Sequence, residues 1–434
     1  MAEYIKQASR TAAYEAPQVS ERVSEMLQRI RSEGEAAARA YARELDGFEG
    51  EPVVDRETIT RAAARLPETL KDDIEFALKR VTDFARRQRD SLQEFETELS
   101  PGLFAGQRII PMTTAGCYVP GGRYAHIASA IMSVGTARVA GVENVIACSP
   151  PKGADGIHPA ILYTMDRAGA DRILALGGVQ GVAAMADGLF TGAPADILVG
   201  PGNRFVAEAK RLLFGEVGID LFAGPTEIAI IADDTADPEL VAIDLVGQCE
   251  HGLDSPAWLI TTDEALGRKV LEHMPGLIAD LPELQRDAAE ASWRDYGEVV
   301  LCRDREEAVA VSDRYAPEHL EVHAADQDWW LQRLRNYGSL FLGEETTVAF
   351  GDKCSGTNHI LPTRGAARYT GGLSALKFLK VVSYQRQSRE GTRDVARVAA
   401  RLSRGEGMEA HARTGDARLR RYFPDEPLET EASA

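Results

Sequence analysis

The sequence predicts an α/β protein with two Rossmann-like halves, preceded by N-terminal helices and followed by a C-terminal helical tail. From about residue 108, short apolar runs alternate with Ala-rich helical stretches. This alternation is typical of βαβ units on a largely parallel sheet. The runs form two successive series, which indicates two such halves. The first hundred residues instead repeat apolar residues at helical spacing.

Length and composition narrow the class of protein. A chain of 434 residues is too long for one small core, so we expect two or more domains. The net charge of −18 argues against nucleic-acid binding, although it leaves room for a locally basic pocket. Five scattered cysteines without CxxC spacing indicate free thiols in a reducing compartment. With no membrane-length apolar run and no signal-peptide pattern at the N-terminus, we expect a cytoplasmic protein that binds no membrane.

The predicted elements follow in chain order. Two amphipathic helices are predicted from the spacing of Val19 to Ile30 and of Leu70 to Phe84. The strand-like runs of the first series are 109–111, 145–147, 173–176 and 197–199, and those of the second are 227–232, 257–261 and 299–302. Helical stretches include 128–140 and 181–187. The Arg- and Glu-rich tail after about Val381 predicts one or two amphipathic helices.

Three glycine turns could hold a ligand. They cover 116–122, 177–180 and 200–204, and each follows a strand-like run and precedes a helix. Backbone N–H groups at such helix starts suit phosphate and other anions. No turn matches G-x-G-x-x-G, so the ordinary dinucleotide fingerprint is absent. A single turn of this kind is usually structural, but three in one half make nucleotide binding as plausible as a purely structural role.

A metal half-site stands in the middle of the chain. Gln248 and His251 are three residues apart near the end of a helix predicted over 238–250, so both project from one face. They are either half of a metal site or unrelated to one. Candidate partners are Asp352, in a glycine-flanked polar loop, and His411, five residues after Glu406 in the tail. Spacing alone does not select these partners.

An acid–base pair is also plausible. Glu318 and His319 are neighbours directly after Pro317, and a carboxylate beside an imidazole can exchange protons with a substrate. Adjacent Glu and His also occur by chance, so the pair is weak evidence by itself.

Several separated segments together resemble the histidinol dehydrogenase family over nearly the whole chain. The matching segments are GCYVPGG, LGGVQGVAAMADG, VGPGNRFVAEAK, IDLFAGPTEI, GQCEHG, APEHLE, CSGTNHILPT and EGMEAHA. The resemblance implies two Rossmann-like, aldehyde-dehydrogenase-like domains, one zinc ion per subunit, NAD, and oxidation of an alcohol through the aldehyde to the acid. It also implies a homodimer whose C-terminal tail reaches the partner's active site.

The same resemblance implies roles for individual residues. The zinc ligands would be Gln248, His251, Asp352 and His411. Glu318 and His319 would be the catalytic acid–base pair, and the NAD contacts would be Tyr118, Gln180 and Asn203. Substrate contacts would include Thr226, His359 and Glu406. The implied domains are an N-terminal arm (1–20), a zinc and substrate domain (21–115 plus 230–380), an NAD-binding domain (116–229) and a dimerisation tail (381–434).

The chain departs from the biosynthetic pattern of the family in ways that bear on its substrate. Arg123 and His126 follow the first glycine turn, Thr226 replaces the usual Ser, and Lys377 stands where an acidic residue is common. Histidinol is cationic, whereas Arg123 offers a forked donor for sulfonate, phosphate or carboxylate. These changes resemble the branch that oxidises (R)-2,3-dihydroxypropane-1-sulfonate (sulfopropanediol) to sulfolactate, with Arg123 and His126 as substrate contacts.

Other interpretations remain open. The substrate could be L-histidinol, oxidised to L-histidine, with Arg123 and Lys377 as surface residues. The chain could also be a zinc-binding paralogue without turnover. A third possibility is a thiol mechanism through Cys249 or Cys354, which would need a cysteine of lowered pKa.

Overall fold

The computed structural model describes residues 2–10, 17–121, 125–221 and 224–426. The chain divides into two compact units. The first comprises Met1–Arg89 and Met112–Phe378, and the second comprises Asp90–Pro111 and Leu379–Ala434.

The described strands are β1 Glu3–Lys6, β2 Phe95–Ser100, β3 Leu103–Pro111, β4 Thr114–Tyr118, β5 Asn144–Ser149, β6 Arg172–Ala175, β7 Ile197–Val199, β8 Gly218–Ile219, β9 Ile228–Ala232, β10 Ala257–Thr261, β11 Gly297–Leu301, β12 His319–His323, β13 Ser339–Leu342 and β14 Leu379–Gln387.

The described α-helices are α1 Pro17–Glu33, α2 Glu35–Asp46, α3 Arg56–Ala64, α4 Glu68–Asp90, α5 Ile127–Ala130, α6 Thr136–Ala140, α7 Pro159–Ala168, α8 Gly178–Ala186, α9 Arg204–Leu213, α10 Pro238–Cys249, α11 Glu264–Ala279, α12 Glu283–Tyr296, α13 Arg305–Tyr315, α14 Gln327–Arg333, α15 Val348–Lys353, α16 Thr392–Gly405 and α17 Glu409–Tyr422. A π-helical turn, Ile131–Gly135, joins α5 to α6.

The first unit contains a five-stranded parallel sheet in the order β6-β5-β4-β7-β8. The chain winds from β4 outward through β5 and β6, then returns to β7 on the other side of β4. The strand order therefore reverses between β4 and β7, and ligands of open α/β sheets bind at such a reversal, beyond the carboxyl ends of the strands. The apolar strands bury their side chains against helices that include α1, α8 and α9.

A six-stranded sheet in the same unit has the order β1-β11-β10-β9-β12-β13. Strands β9 to β13 pair in parallel, and β1 adds an antiparallel edge beside β11. All five residues of β9 are buried, as expected for the central strand of a sheet covered on both faces. The two sheets confirm the predicted α/β fold with two Rossmann-like halves.

The second unit holds a three-stranded antiparallel sheet, β14-β3-β2, and the paired helices α16 and α17. The predicted helical tail is therefore present, but it begins with a strand, which the Arg- and Glu-rich composition did not predict. The run 109–111 is a strand, as predicted, but it belongs to β3 of this antiparallel sheet, so its placement in a parallel series is wrong. None of the helices in the described ranges is long and apolar enough to cross a membrane.

Candidate active site

Glu318 and His319 lie at the start of β12, directly after the loop that follows α13. Both side chains are buried, and Glu318 Oε2 lies 3.5 Å from His319 Nδ1. The Glu318 carboxylate accepts hydrogen bonds from the Thr226 hydroxyl (2.6 Å) and from the backbone N–H of Glu227 (2.9 Å). The predicted pair is thus assembled, and the loop before β9 holds it from the other side.

The ring orientation of His319 is set by a backbone carbonyl. His319 Nδ1 lies 2.9 Å from the carbonyl oxygen of Glu227, which can only accept a hydrogen bond. The proton on the neutral ring therefore belongs on Nδ1, so the base is Nε2. That atom is buried and forms no hydrogen bond within the described residues, and Asp352 Oδ1 lies 3.5 Å from it. On the neutral ring this buried nitrogen carries the lone pair that a general base uses.

Burial and the neighbouring charges shift the pKa values of Glu318 and His319 in opposite directions. Burial raises the pKa of Glu318 to about 6, and the adjacent His319 offsets part of that shift. For His319, burial would lower the pKa, but the carboxylates of Glu318 and Asp352 outweigh it and raise the pKa to about 9. Burial would also raise the pKa of Asp352, yet His319 holds it well below its usual range.

The end of α10 and the helix α15 bring three predicted metal ligands to this pair. Helix α10 starts at Pro238 behind the Asp237 N-cap and carries Gln248 in its last turn. Gln248 Nε2 donates to Thr226 Oγ1 and lies 3.4 Å from His319 Nδ1. His251 follows α10 directly, and its pKa is lowered first by burial and raised in part by the charge of Asp352.

The donor atoms of these residues fit a zinc ion. Because Gln248 uses Nε2 for Thr226, its amide oxygen is left as a possible ligand. The lowered pKa values keep His251 neutral and Asp352 ionised, which are the forms that bind metal. Amide oxygen, imidazole nitrogen and carboxylate oxygen form a mixed N/O set with room for substrate. The fourth predicted ligand, His411, is exposed on α17 in the other unit, and Glu406 is exposed at the end of α16.

The predicted substrate contacts fall into three groups. Thr226 touches both Gln248 and Glu318. His359 is half-buried, with Nδ1 2.7 Å from the backbone oxygen of Asp352 and Nε2 3.1 Å from Ser129 Oγ. His126 precedes α5, and its pKa is lowered to about 4 by burial and by the charges of His359 and His251. Arg123 lies outside the described residues.

A cation that the sequence interpretation missed lies at the same place. Lys353 is exposed at the end of α15, next to Asp352. Besides burial, its charge contributes to the lowered pKa values of His126, His251 and His359. With these imidazoles kept neutral, Lys353 is a positive side chain whose charge contributes to the pKa shifts of all three histidines. By contrast, Lys377 is half-buried in a 3₁₀ turn and enters none of these shifts.

The three predicted NAD contacts lie at the carboxyl edge of the five-stranded sheet. Tyr118 ends β4, and its hydroxyl accepts from the backbone N–H of Gly178 (3.1 Å) at the start of α8. Gln180, in the first turn of α8, is buried and leaves its Oε1 without a hydrogen-bond partner among the described residues. Asn203 caps α9 by accepting from the backbone N–H groups of Phe205 and Val206. Asn203 is exposed on the turn next to Tyr118.

This edge fits a dinucleotide in two respects. The turn after β7 approaches β4 so closely that a Cβ on Gly200 would come within 2.0 Å of the Tyr118 carbonyl oxygen, and Gly200 has φ +115°. The crevice between β4 and β7 is therefore bounded by backbone. The N-termini of α8 and α9 both lie there, which suits a pyrophosphate.

Comparison with known proteins decides the family. The sequence model of a family described as histidinol dehydrogenase matches residues 9–419. The chain belongs to the histidinol dehydrogenase family. A histidinol dehydrogenase homolog of Pelagibacter ubique is 59% identical over 420 residues, covering 96% of this chain and 98% of that protein. The sulfopropanediol 3-dehydrogenase of Ruegeria pomeroyi is 57% identical over 431 residues, covering 99% of each.

A solved structure supports the same assignment. The crystal structure of histidinol dehydrogenase from Elizabethkingia anophelis matches with a TM-score of 0.88 at 32% identity, covering 95% of this chain and 94% of that one. Members of the histidinol dehydrogenase family are zinc- and NAD-dependent oxidoreductases that act on small substrates.

Two further polar groups lie at the carboxyl edge of the five-stranded sheet, and neither was predicted. Asp46, at the end of α2, accepts from Gln180 Nε2 (2.9 Å) and from the backbone N–H of Gly177 (3.2 Å). Lys210 and Asp220 form a buried ion pair that holds Gly200 from both sides. Lys210 Nζ donates to the Gly200 carbonyl (2.9 Å), and the Gly200 N–H donates to Asp220 (2.7 Å). Lys210 and Asp220 lie inside two of the segments that resemble the family, VGPGNRFVAEAK and IDLFAGPTEI, but the sequence carried no signal that the two residues pair with each other.

The cysteines are all free thiols, as predicted. Cys249 is fully buried, and burial raises the pKa of its thiol to about 12. A thiol in this state is not a nucleophile at neutral pH, which argues against a thiol mechanism at Cys249. Cys354 is half-buried in the loop after α15.

Proposed function

We propose that this member of the histidinol dehydrogenase family is a zinc- and NAD-dependent dehydrogenase of a small anionic diol. The substrate would be (R)-2,3-dihydroxypropane-1-sulfonate, oxidised at its primary alcohol through the aldehyde to sulfolactate. Two hydrides would pass to two NAD molecules in succession, with a water molecule added between the two oxidations.

The observation that carries the choice of substrate is the position of Lys353. Lys353 follows the predicted ligand Asp352 in sequence. The charge of its ammonium group contributes to the lowered pKa values of His126, His251 and His359. An exposed cation there would attract a sulfonate and repel the ammonium group of histidinol. The 57% identity to a sulfopropanediol 3-dehydrogenase supports the same choice. Arg123 would add a second cation.

The groups that accept hydride and polarise the alcohol are not part of the chain. Zinc held by Gln248, His251, Asp352 and the tail residue His411 would supply Lewis acidity at the substrate oxygen, and NAD at Tyr118, Gln180 and Asn203 would accept hydride. Substrate would be held by Thr226, His359 and the tail residue Glu406, together with His126.

His319 would take the hydroxyl proton on Nε2 in the first oxidation. The Glu227 carbonyl keeps the other ring nitrogen protonated and the ring fixed. The charge of Asp352 contributes to the high pKa of His319. That charge is offset when Asp352 binds a cation, and the lower pKa that results is what a base working at neutral pH requires.

Glu318 would act between the two oxidations. With a pKa of about 6, its carboxylate is mostly ionised at neutral pH and can accept a proton from the water that hydrates the aldehyde. The hydrogen bonds from Thr226 and from the Glu227 backbone hold the Glu318 carboxylate in one orientation. The hydrate then loses its second hydride to give the acid.

The tail residues make dimerisation part of the proposal. His411 and Glu406 belong to the second unit, and we propose that they reach the active site of the partner subunit in a homodimer. Mixing inactive H251A and H411A proteins, after a reversible dissociation step, should restore activity in the heterodimers if the tail is exchanged. Absence of any recovery in dimers shown to be mixed would contradict the exchange.

The substrate proposal is tested by a direct assay. Purified enzyme loaded with zinc is given NAD and either the sulfonate diol or L-histidinol, and NADH formation is followed at 340 nm. We expect two NADH per sulfonate diol consumed and negligible turnover of histidinol. NADH from histidinol alone would assign the enzyme to histidine formation. No NADH from either alcohol, in protein with bound zinc, would favour the non-catalytic paralogue.

A further inference from the structure

A second polar cluster lies on the same elements as the active site. Asp244 is one helical turn before Gln248 on α10, and Glu321 and His323 follow His319 at alternate positions of β12. Alternate strand residues point to the same face, so all three β12 side chains share a face with the end of α10. We call Asp244, Glu321 and His323 the β12 triad.

The β12 triad is nearly enclosed. The side chains of Glu321 and His323 are 0% exposed, and that of Asp244 is 15% exposed. His323 Nε2 lies 3.3 Å from Glu321 Oε2 and 3.7 Å from Asp244 Oδ2. One donor atom from each residue lies within 4.8 Å of the others, and the described residues hold no other such group of His, Cys, Asp or Glu.

Three buried atoms of the β12 triad lack a hydrogen bond of ordinary geometry to any described residue. Glu321 Oε2 and both ring nitrogens of His323 have no hydrogen-bond partner within the described ranges. The outer oxygens do have partners: Asp244 Oδ1 accepts from Thr347, and Glu321 Oε1 accepts from the backbone N–H of Val348 (2.7 Å). Burying polar atoms without partners is unfavourable, so these three atoms favour a bound ligand.

From this geometry we propose that the β12 triad binds a divalent transition-metal ion such as zinc or manganese, separate from the ion of the active site. Ligands bonded at about 2.0–2.2 Å in tetrahedral geometry lie roughly 3.3–3.6 Å apart, close to the spacings seen here. One imidazole with two carboxylates is a donor set that such ions accept, with water completing the shell. The ion would neutralise two buried carboxylates that otherwise repel each other.

The second ion would hold two helices of the active site, α10 and α15, in position. Asp244 shares α10 with Gln248, and the Val348 N–H bonded to Glu321 begins α15, which carries Asp352. An ion bound by Asp244 and Glu321 would therefore fix the helices that present two of the proposed zinc ligands. The proposal itself rests on the triad alone and not on the substrate or the reaction.

Metal stoichiometry tests the proposal. The full-length protein is stripped with chelator, loaded with zinc, freed of unbound ion by gel filtration, and its zinc content per chain measured by mass spectrometry. We expect two zinc ions in the wild type, one in Glu321→Gln, one in His251→Ala and none in the double variant. Asp234→Asn, an exposed carboxylate on the loop before α10, is the matched control and should keep two.

The contrary result is equally definite. One zinc in the wild type, lost in His251→Ala and kept in Glu321→Gln, would show that the triad shares protons and binds no metal. If Glu321→Gln does not fold, Asp244→Asn replaces it, because that side chain is partly exposed and its loss is better tolerated. Failure of the active-site assignment would instead appear as a zinc content in His251→Ala equal to that of the wild type.

Discussion

The carbonyl oxygen of Glu227 lies 2.9 Å from His319 Nδ1, and the N–H of the same residue lies 2.9 Å from Glu318 Oε2. A single residue of the loop before β9 therefore orients both members of the acid–base pair through its backbone. Preorganised backbone dipoles cost nothing to realign during reaction. The Glu227 side chain is free to have a separate role.

The Thr226 hydroxyl forms hydrogen bonds both to the acid–base pair and to a proposed zinc ligand. It donates to Glu318 and accepts from Gln248, so Thr226→Val removes one partner from each. We expect a fall in kcat of roughly ten- to a hundredfold, because a general acid or base contributes about 10²–10⁴ and here only its positioning is lost. Thr226→Ser keeps the hydroxyl and should retain near-wild-type kcat. Equal losses in both variants would show that the methyl group, not the hydroxyl, is needed.

Glu227 should make stability depend on pH. Burial raises the pKa of its carboxyl from 4.5 to about 8, so the folded protein prefers the protonated form. That stabilising contribution is fully present below pH 4.5 and is lost as the pH rises through about 8. The side chain of the Glu227→Gln variant cannot ionise. The free energy of unfolding of this variant, relative to that of the wild type, should therefore increase by up to a few kcal/mol as the pH rises from 5 to 8.

Chemical denaturation at several pH values measures this difference. Glu290→Gln, an exposed carboxylate in α12, is the control and should follow the wild type at every pH. A difference between Glu227→Gln and the wild type that does not change with pH would contradict the raised pKa.

These residues mark how far sequence can predict the site. The fold class followed from alternating apolar runs and helices, because buried parallel strands must be apolar throughout. Glu318 and His319 were visible as a pair since their side chains carry the chemistry. Glu227 was not, because it acts through backbone atoms that every residue has.

The second unit shows a different limit. Strand β14 was missed because nearly all of it is exposed. Its charged and polar residues are also typical of an amphipathic helix. Its partner β3 is adjacent to it only in the folded chain, about 270 residues away in sequence. Lys353, by contrast, had a usable signal, because a basic residue stood next to a candidate ligand in a glycine-flanked loop.

Lys353 should control affinity for the anionic group of the substrate. Lys353→Met removes the charge but keeps much of the side-chain volume, so KM for the sulfonate diol should rise about tenfold or more, as expected for losing a bond to a charged group. Lys353→Arg keeps the charge and should retain most of the affinity. For 1,2-propanediol, which lacks the sulfonate, KM should be the same in all three proteins. A parallel rise for both alcohols would assign Lys353 to the fold of the loop and not to anion recognition.

The buried pair of Lys210 and Asp220 should control cofactor affinity without touching the substrate. Lys210→Met frees the Gly200 carbonyl and leaves Asp220 buried without its cation, a change that typically costs about 3–5 kcal/mol of stability. Because Gly200 opens the turn that carries Asn203, KM for NAD should rise at least severalfold while KM for the diol stays constant. Adding Asp220→Asn to Lys210→Met removes the unpaired charge and should recover part of the stability but not the NAD affinity.

Lys152→Met, at an exposed lysine, is the control for loss of positive charge. Steady-state kinetics at varied NAD, paired with denaturation curves, separates the two effects, and an unchanged KM for NAD in a folded Lys210→Met protein would remove the pair from the cofactor site.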